Sequence, residues 1–147
     1  MVDRFETFTT LIARASRLVY KIKTTEMSEF GLKSSHVSCL YYIYKQQSVT
    51  ANQLCKICGE DKANISRAIS YLENNGYVYC QSDCKKRYQS PLMLTEYGLS
   101  VAEKVANKID SILIKASEGL SEENRLVFYN SLQLICNNLE NICSSKN

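Results

Sequence analysis

Apolar positions recur at helical spacing from the start of the chain. Phe5, Phe8, Ile12, Ala15, Val19 and Ile22 step by three and four residues, which predicts a long helix over residues 3–25 with one narrow apolar seam. The seam fades between Met27 and Gly31. Ser34 or Ser35 can then N-cap a second helix, in which Val37, Leu40, Tyr41 and Tyr44 follow the i, i+3, i+4, i+7 template. Ser48-Val49-Thr50 reads as a break. Thr50 can cap a short third helix carrying Leu54 and Ile57, and Gly59 can stop it. Asp61 suits the cap of a fourth helix with Ile65, Ala68, Ile69 and Leu72 on its buried side and Gly76 just past its end.

The period then changes. Tyr77-Val78-Tyr79-Cys80 and Ser90-Pro91-Leu92-Met93-Leu94 are short β-rich runs on either side of a polar, basic stretch from Gln81 to Tyr88, which predicts a hairpin with a charged tip. Pro91 has no N–H to give a ladder and is expected on the strand's outward edge. Thr95 can cap another long helix, with Ala102, Val105, Ile109 and Ile112 along one side, broken at Ser117-Glu118-Gly119-Leu120. Ser121 opens a last helix, with Asn124 where a capping box would have Glu or Gln. Its seam is Phe128, Leu132, Ile135, Leu139 and Ile142.

The expected fold is therefore mostly α with a small β-hairpin wing: a winged helix-turn-helix between long N- and C-terminal helices. The seams of the two end helices are narrower than the stripe of a helix lying on a globular core, so these helices are expected to meet each other or their copies in a second subunit. No repeat and no linker rich in Pro, Gly or Ser divides the chain, which is read as a single domain over 1–147.

Composition supports this picture and adds one puzzle. With 5 Gly and 1 Pro in 147 residues, a many-turned all-β fold is disfavoured. A net charge of +3 permits nucleic-acid binding without requiring it, so the placement of the charges must decide. No apolar run is long enough to span a membrane, and the N-terminus has no apolar signal core. The expected location is the cytoplasm, with reduced thiols. The puzzle is 7 Cys beside 1 His, an odd number that cannot form a fully paired framework within one chain.

Residues 54–76 read LCKICGEDKANISRAISYLENNG, followed by Tyr77-Val78 and later by Leu94-Thr95-Glu96-Tyr97-Gly98. This pattern resembles the MarR family of bacterial transcriptional regulators. The specific motif covers Leu54 to Gly98, and the order and length of the helices are similar over nearly the whole chain. The resemblance implies a homodimer on pseudo-palindromic double-stranded DNA, with 34–98 as the DNA-binding winged helix and 1–30 and 99–147 as the helical dimerisation part. It also implies that the fourth helix enters the major groove while the wing reaches toward the minor groove. By family habit the role would be repressor rather than activator, with release by a small-molecule or oxidant signal.

The residues themselves fit a DNA surface. With its apolar side inward, the fourth helix turns Lys62, Asn64, Ser66, Arg67 and Ser70 outward. Arg67 is the leading candidate, since its fork can contact guanine O6 and N7 or clamp a phosphate. Asn64 could read adenine, and Ser66 and Ser70 could donate to phosphates. The plainer reading is a solvated polar face, but Ser is a poorer helix former than Lys or Glu, so solubility alone does not favour it there. At the wing tip, Lys85, Lys86 and Arg87 repel one another in isolation and gain counterion release beside phosphates. The competing role for them is protection of an edge strand.

Two positions depart from the family pattern. The wing's usual Asp-x-Arg falls on Lys86-Arg87-Tyr88, so the bracing salt bridge is in doubt; either Arg87 takes the minor-groove contact or the wing touches phosphate alone. Glu60 stands where an apolar turn residue is common.

Cys55-x-x-Cys58 has metal-ligand spacing but lies on a helix without a second such motif, and no metal or other cofactor is expected. Cys39 and Cys136 fall near apolar faces and read as packing residues. Cys84, beside three cations, is the candidate reactive thiol. The family also implies an effector cavity lined by the second helix, where His36, Tyr41, Tyr42 and Tyr44 lie, although Tyr41 and Tyr44 read first as core. With no nucleophile motif and no phosphate loop, an enzyme is not expected. The alternative function is a winged-helix module that binds protein rather than DNA.

Overall fold

The computed structural model describes residues 4–81 and 89–145, apart from the side chain of Phe5. It contains α1 (Arg4–Glu26), a single 3₁₀ turn (Ser28–Phe30), α2 (Ser34–Gln46), α3 (Ala51–Cys58), α4 (Lys62–Asn74), β1 (Val78–Cys80), β2 (Leu92–Leu94), α5 (Glu96–Ala116) and α6 (Glu122–Ser144). The chain forms two compact units, Met1–Asn107 and Lys108–Asn147.

In the first unit, α4 packs on α2 and α3, and α2 also meets α1 and β2. The centre is formed by Val37, Leu40 and Ile43 of α2, Leu54 of α3, and Ile65 and Leu72 of α4, all essentially without exposed surface. The four residues expected inward on α4 are all buried. On α2 the buried face differs from expectation: Tyr41 and Tyr44 are half-buried, while Ile43 and Cys39 are fully buried. The reason is that α2 is enclosed by α1, α3, α4 and β2, so its covered surface is wider than one stripe. Ile57 of α3 is exposed.

Local caps set the element ends. The Thr50 hydroxyl accepts from Gln53 N while Gln53 Oε1 accepts from Thr50 N, at 3.3 and 2.8 Å, closing a capping box on α3. Gly59 then takes the left-handed conformation, φ 63°, that ends this helix. Asp61 Oδ1 accepts from Asn64 N at 2.8 Å and starts α4.

The start of α2 departs from expectation. Ser34 and Ser35 lie inside the helix, and Lys33 holds the cap position. Its N–H donates to His36 Nδ1 at 3.2 Å, and the His36 ring stacks on Tyr71 of α4 with centroids 4.0 Å apart. Burial, and then the nearby Lys33 charge, hold the imidazole below its ordinary pKa of 6.5. A histidine whose folded pKa is depressed binds fewer protons folded than unfolded. Its contribution is therefore complete above pH 6.5 and is lost as pH falls from there toward the folded pKa. The melting temperature should drop on going from about pH 8 to about pH 5, and His36→Gln should show a smaller drop. Equal drops in the two proteins would remove His36 as the cause.

β1 and β2 pair antiparallel, with Val78 opposite Leu94 and Cys80 opposite Leu92. Val78 and Leu92 face inward while Tyr79 between the paired positions is exposed, as a half-buried hairpin requires. Pro91 lies just before β2 rather than within it, and its carbonyl accepts from Gln81 N at 3.1 Å. Val49, which in sequence reads only as part of a turn, bridges to Leu92. The Leu92 N–H donates to Val49 O at 2.9 Å, so the break after α2 also ties the wing to the helices.

Thr95 starts α5 as expected: its hydroxyl accepts from Gly98 N at 2.9 Å and donates to Gly76 O at 2.5 Å. The first turn of α5 thus sits directly on the chain entering β1. A Cβ on Gly98 would lie 1.8 Å from the Tyr77 carbonyl oxygen, so this close approach requires glycine.

In the second unit, α5 ends at a turn around Gly119 and Ser121 Oγ accepts from Asn124 N at 3.1 Å to cap α6. None of the described residues of α6 is buried. Phe128, Ile135, Leu139 and Ile142 of its seam are exposed, as are Ile12 and Val19 of the α1 seam. Among the described residues, no helix is long and apolar enough to cross a membrane.

Candidate nucleic-acid interface

The candidate surface is the outward side of α4. Its apolar side is anchored by Ile65, Ala68, Ile69 and Leu72 on α2 and α3, which fixes which side chains remain outside. Lys62 and Arg67 are exposed, and Asn64, Ser66 and Ser70 are half-buried. All five lie on α4, with the two cations in its first half.

Arg67 and Asn64 are one turn apart and already in contact, Arg67 Nη2 donating to Asn64 Oδ1. That bond occupies the oxygen which Asn64 would use to read adenine bidentately. It also holds the guanidinium in a defined place on the helix surface. The Asp61 carboxylate beside them is engaged as the helix cap.

Lys85, Lys86 and Arg87 of the wing, and Cys84 beside them, lie outside the described residues. Of the other cysteines, Cys39 is buried as expected, whereas Cys136 is exposed. The correction follows from its place on α6, where the described residues have no cover of their own. No group of three or more His, Cys, Asp or Glu side chains able to hold a metal occurs among the described residues.

Of the four residues expected to line an effector cavity, Tyr41, Tyr42 and Tyr44 are neighbours on α2, with Lys45 over the rings of Tyr41 and Tyr44. His36 is buried against Tyr71, and Tyr41 meets Tyr42 edge-on and Lys45 through its ring face. Tyr44 borders a pocket of about 180 Å³, which Ile43, Gln47, Met93, Leu94 and Leu99 complete. That volume is below the roughly 300 Å³ at which drug-sized ligand sites begin.

Two features close to α4 are not visible in the sequence pattern. One is the hydroxyl pair that straps the 3₁₀ turn: Tyr71 donates to Gly31 O at 3.1 Å and Tyr77 to Phe30 O at 3.3 Å. Both bonds span at least 40 residues, and nothing local signals them. The other is the Arg67–Asn64 contact, which their i, i+3 spacing on one helix could have suggested.

Known proteins share this fold. Residues 30–87 match the sequence model of the MarR family. The chain is 27% identical over 114 residues to YwoH of Bacillus subtilis (strain 168), an uncharacterised HTH-type transcriptional regulator, a match covering 78% of this chain and 80% of that one. In structure it is similar to NMB1585, a MarR family regulator from Neisseria meningitidis, with a TM-score of 0.86 at 16% identity, covering 99% and 100% of the two chains. A putative MarR family regulator from Listeria monocytogenes complexed with 26mer DNA gives 0.81 at 22% identity, covering 95% and 90%. The S. aureus MepR–DNA complex gives 0.77 at 19% identity, covering 90% and 97%. At these identities the structural likeness concerns the fold.

Proposed function

We propose that the chain, whose residues 30–87 match the MarR family model, is a transcriptional regulator of that family rather than an enzyme. It is a sequence-specific double-stranded-DNA-binding regulator acting as a homodimer on a pseudo-palindromic operator, a repressor by family habit. The observation that carries the reading is the outward row on α4, where the Arg67 guanidinium is held by Asn64 beside Ser66 and Ser70, with Lys62 exposed at the helix start.

In this reading α4 lies in the major groove. Arg67 contacts guanine, Asn64 orients Arg67 rather than reading adenine itself, and Lys62, Ser66 and Ser70 reach phosphates. Lys85, Lys86 and Arg87 extend the contact along the backbone. The homodimer covers the apolar seams of α1 and of α6, each of which presents large exposed hydrophobic side chains. The winged helix is 34–98 and the helical parts 1–30 and 99–147 join the subunits. Release by a small-molecule or oxidant signal completes the proposed function. By linkage, a ligand that favours another spacing of the two α4 helices must weaken DNA binding to the same degree that DNA weakens ligand binding.

An electrophoretic shift with fragmented genomic DNA separates this reading from a protein-binding module. A regulator retains discrete fragments at moderate salt; a protein-binding module retains none. The wing is tested by replacing Lys85, Lys86 and Arg87 together with Ala. The slope of log K against log salt should become shallower by about 0.9 for each phosphate that these cations neutralise. An unchanged slope would place the wing away from phosphate.

A further inference from the structure

Asn64, Arg67 and Tyr71 are spaced by three and then four residues on α4, so they share one stripe of that helix. The first two belong to the outward row, whereas Tyr71, near the helix end, is half-buried. Its ring lies flat on the ring of His36, with centroids 4.0 Å apart and planes 5° from parallel. Its hydroxyl donates to Gly31 O at 3.1 Å, and Tyr77 closes the same corner by donating to Phe30 O at 3.3 Å. The stripe that carries the Arg67 guanidinium is therefore held at its far end by α2 and by the 3₁₀ turn. A rotation of α4 about its axis that swings Arg67 sideways must also slide Tyr71 across His36.

This support depends on a neutral imidazole. His36 is buried, and its Nδ1 accepts from Lys33 N at 3.2 Å at the start of α2. An acceptor at Nδ1 places the ring proton on Nε2. A second proton would put an N–H on Nδ1 facing the N–H of Lys33, so the bond at the helix start is lost and two donors oppose each other. The ring must then turn, and its stack on Tyr71 is lost with it. The groups facing the imidazole are Tyr71 of α4, across the ring, and Lys33 beside it; burial first, and then the Lys33 charge, favour the neutral form. Lys23, which reaches α2 from α1, is engaged with Ser38, and Glu29 of the 3₁₀ turn is exposed. The face of the Tyr71 ring attracts a cation, but that attraction does not replace the acceptor that the start of α2 uses.

We propose that Tyr71 is a positioning residue for the α4 surface, acting through its stack on His36 and its bond to Gly31, and that protonation of His36 releases it and weakens sequence-specific DNA binding at acid pH. The role rests on the function proposed above. Base contacts need side chains placed within about 0.5 Å, whereas phosphate contacts carry no sequence information and form on any duplex. Release of Tyr71 therefore lowers specific affinity more than non-specific affinity. The sign separates this effect from plain electrostatics, because an added positive charge would by itself strengthen binding to every duplex. His36 is the single histidine of the chain, so no other side chain with an ordinary pKa changes charge between about pH 5 and pH 7. Its folded pKa lies below 6.5, so the loss sets in below that pH and completes as pH falls through the folded value.

The test uses the full chain, a duplex that it selects from a random pool at about pH 7.5, and an unrelated duplex of equal length. From about pH 7.5 to about pH 5.5, the ratio of specific to non-specific affinity should fall by about threefold or more for wild type. His36→Gln keeps an acceptor at a capping-box position but cannot titrate, and its ratio should be flat over the same range. Tyr71→Phe keeps the ring and should keep the pH dependence. Tyr71→Leu should lower the ratio already at the higher pH and remove its pH dependence. Circular dichroism at each pH confirms that the proteins compared are folded. If Tyr71→Leu unfolds, proton NMR of the lone imidazole in wild type decides: by linkage, the selected duplex should lower the pKa of His36 and the unrelated duplex should lower it less. A pH-independent ratio in wild type, an equal fall in His36→Gln, or a His36 pKa raised or unmoved by the selected duplex would overturn the proposal. Selective binding that is indifferent to pH sinks this role alone, whereas failure to bind any duplex at about pH 7.5 sinks the regulatory reading as well.

Discussion

Gly98→Ala is expected to destabilise the protein by about 3 kcal/mol, at the upper end of what overpacking costs. The added methyl would meet the Tyr77 carbonyl oxygen at 1.8 Å, and its neighbours there are backbone atoms of the chain entering β1. A flexible side chain could swing away; this peptide cannot, because Tyr77 N donates to Leu72 O and Tyr77 O accepts from Thr95 N. Relief requires the first turn of α5 to lift off β1, which breaks the Thr95 bonds that join them. Gly59→Ala is the informative companion. Nothing lies within 4 Å of its Cβ, but its φ of 63° is left-handed, so the cost is conformational and on the order of 1 kcal/mol. Urea unfolding should show both as midpoint shifts at constant m, Gly98→Ala about three times the larger. Similar shifts for the two would mean that α5 yields easily and that the close approach is unimportant.

The second large effect is on DNA. Arg67→Ala should weaken specific binding by about 1–3 kcal/mol for each half-site while leaving binding to unrelated duplex nearly unchanged. Such a result assigns Arg67 to a base. A uniform loss on all sequences would instead assign it to phosphate. Since Arg67 donates to Asn64 Oδ1, Asn64 should act through it. Asn64→Ala should then cost little in the Arg67→Ala background, a non-additivity that a double-mutant cycle reads directly. Additive losses would return Asn64 to an independent base contact.

The parts of this fold that sequence makes legible are those determined within one turn or one period. For α4, the cap Asp61, the inward set Ile65, Ala68, Ile69 and Leu72, and the outward row all follow from helical spacing. The same holds for the Thr50 box and the Ser121 cap. What escapes depends on partners distant in the chain. Val49 reads as a turn because a single bridge to Leu92 leaves no period. Ile43 falls outside the pattern on α2 because a one-stripe template does not anticipate a helix covered on several sides. The serines expected to cap α2 lie inside it, because Lys33 takes the cap position and donates its N–H to His36, whose ring stacks on Tyr71 thirty-five positions away. Gly98 is recognisable as part of a family motif, yet its cause is a contact with Tyr77 that only the fold reveals. Cys136 sits beside a clear apolar seam, but a seam does not say what covers it. The cations Lys85, Lys86 and Arg87 remain an inference from sequence, since they lie outside the described residues.

The central claim is that two copies of the α4 surface read a defined duplex. Selection of bound sequences from a random double-stranded pool by the reduced full chain tests it most directly. The account predicts enrichment of an inverted repeat with half-site centres about one helical turn, or roughly 10 base pairs, apart, and loss of that enrichment with Arg67→Ala. Recovery of a pool no different from the input at moderate salt would contradict it.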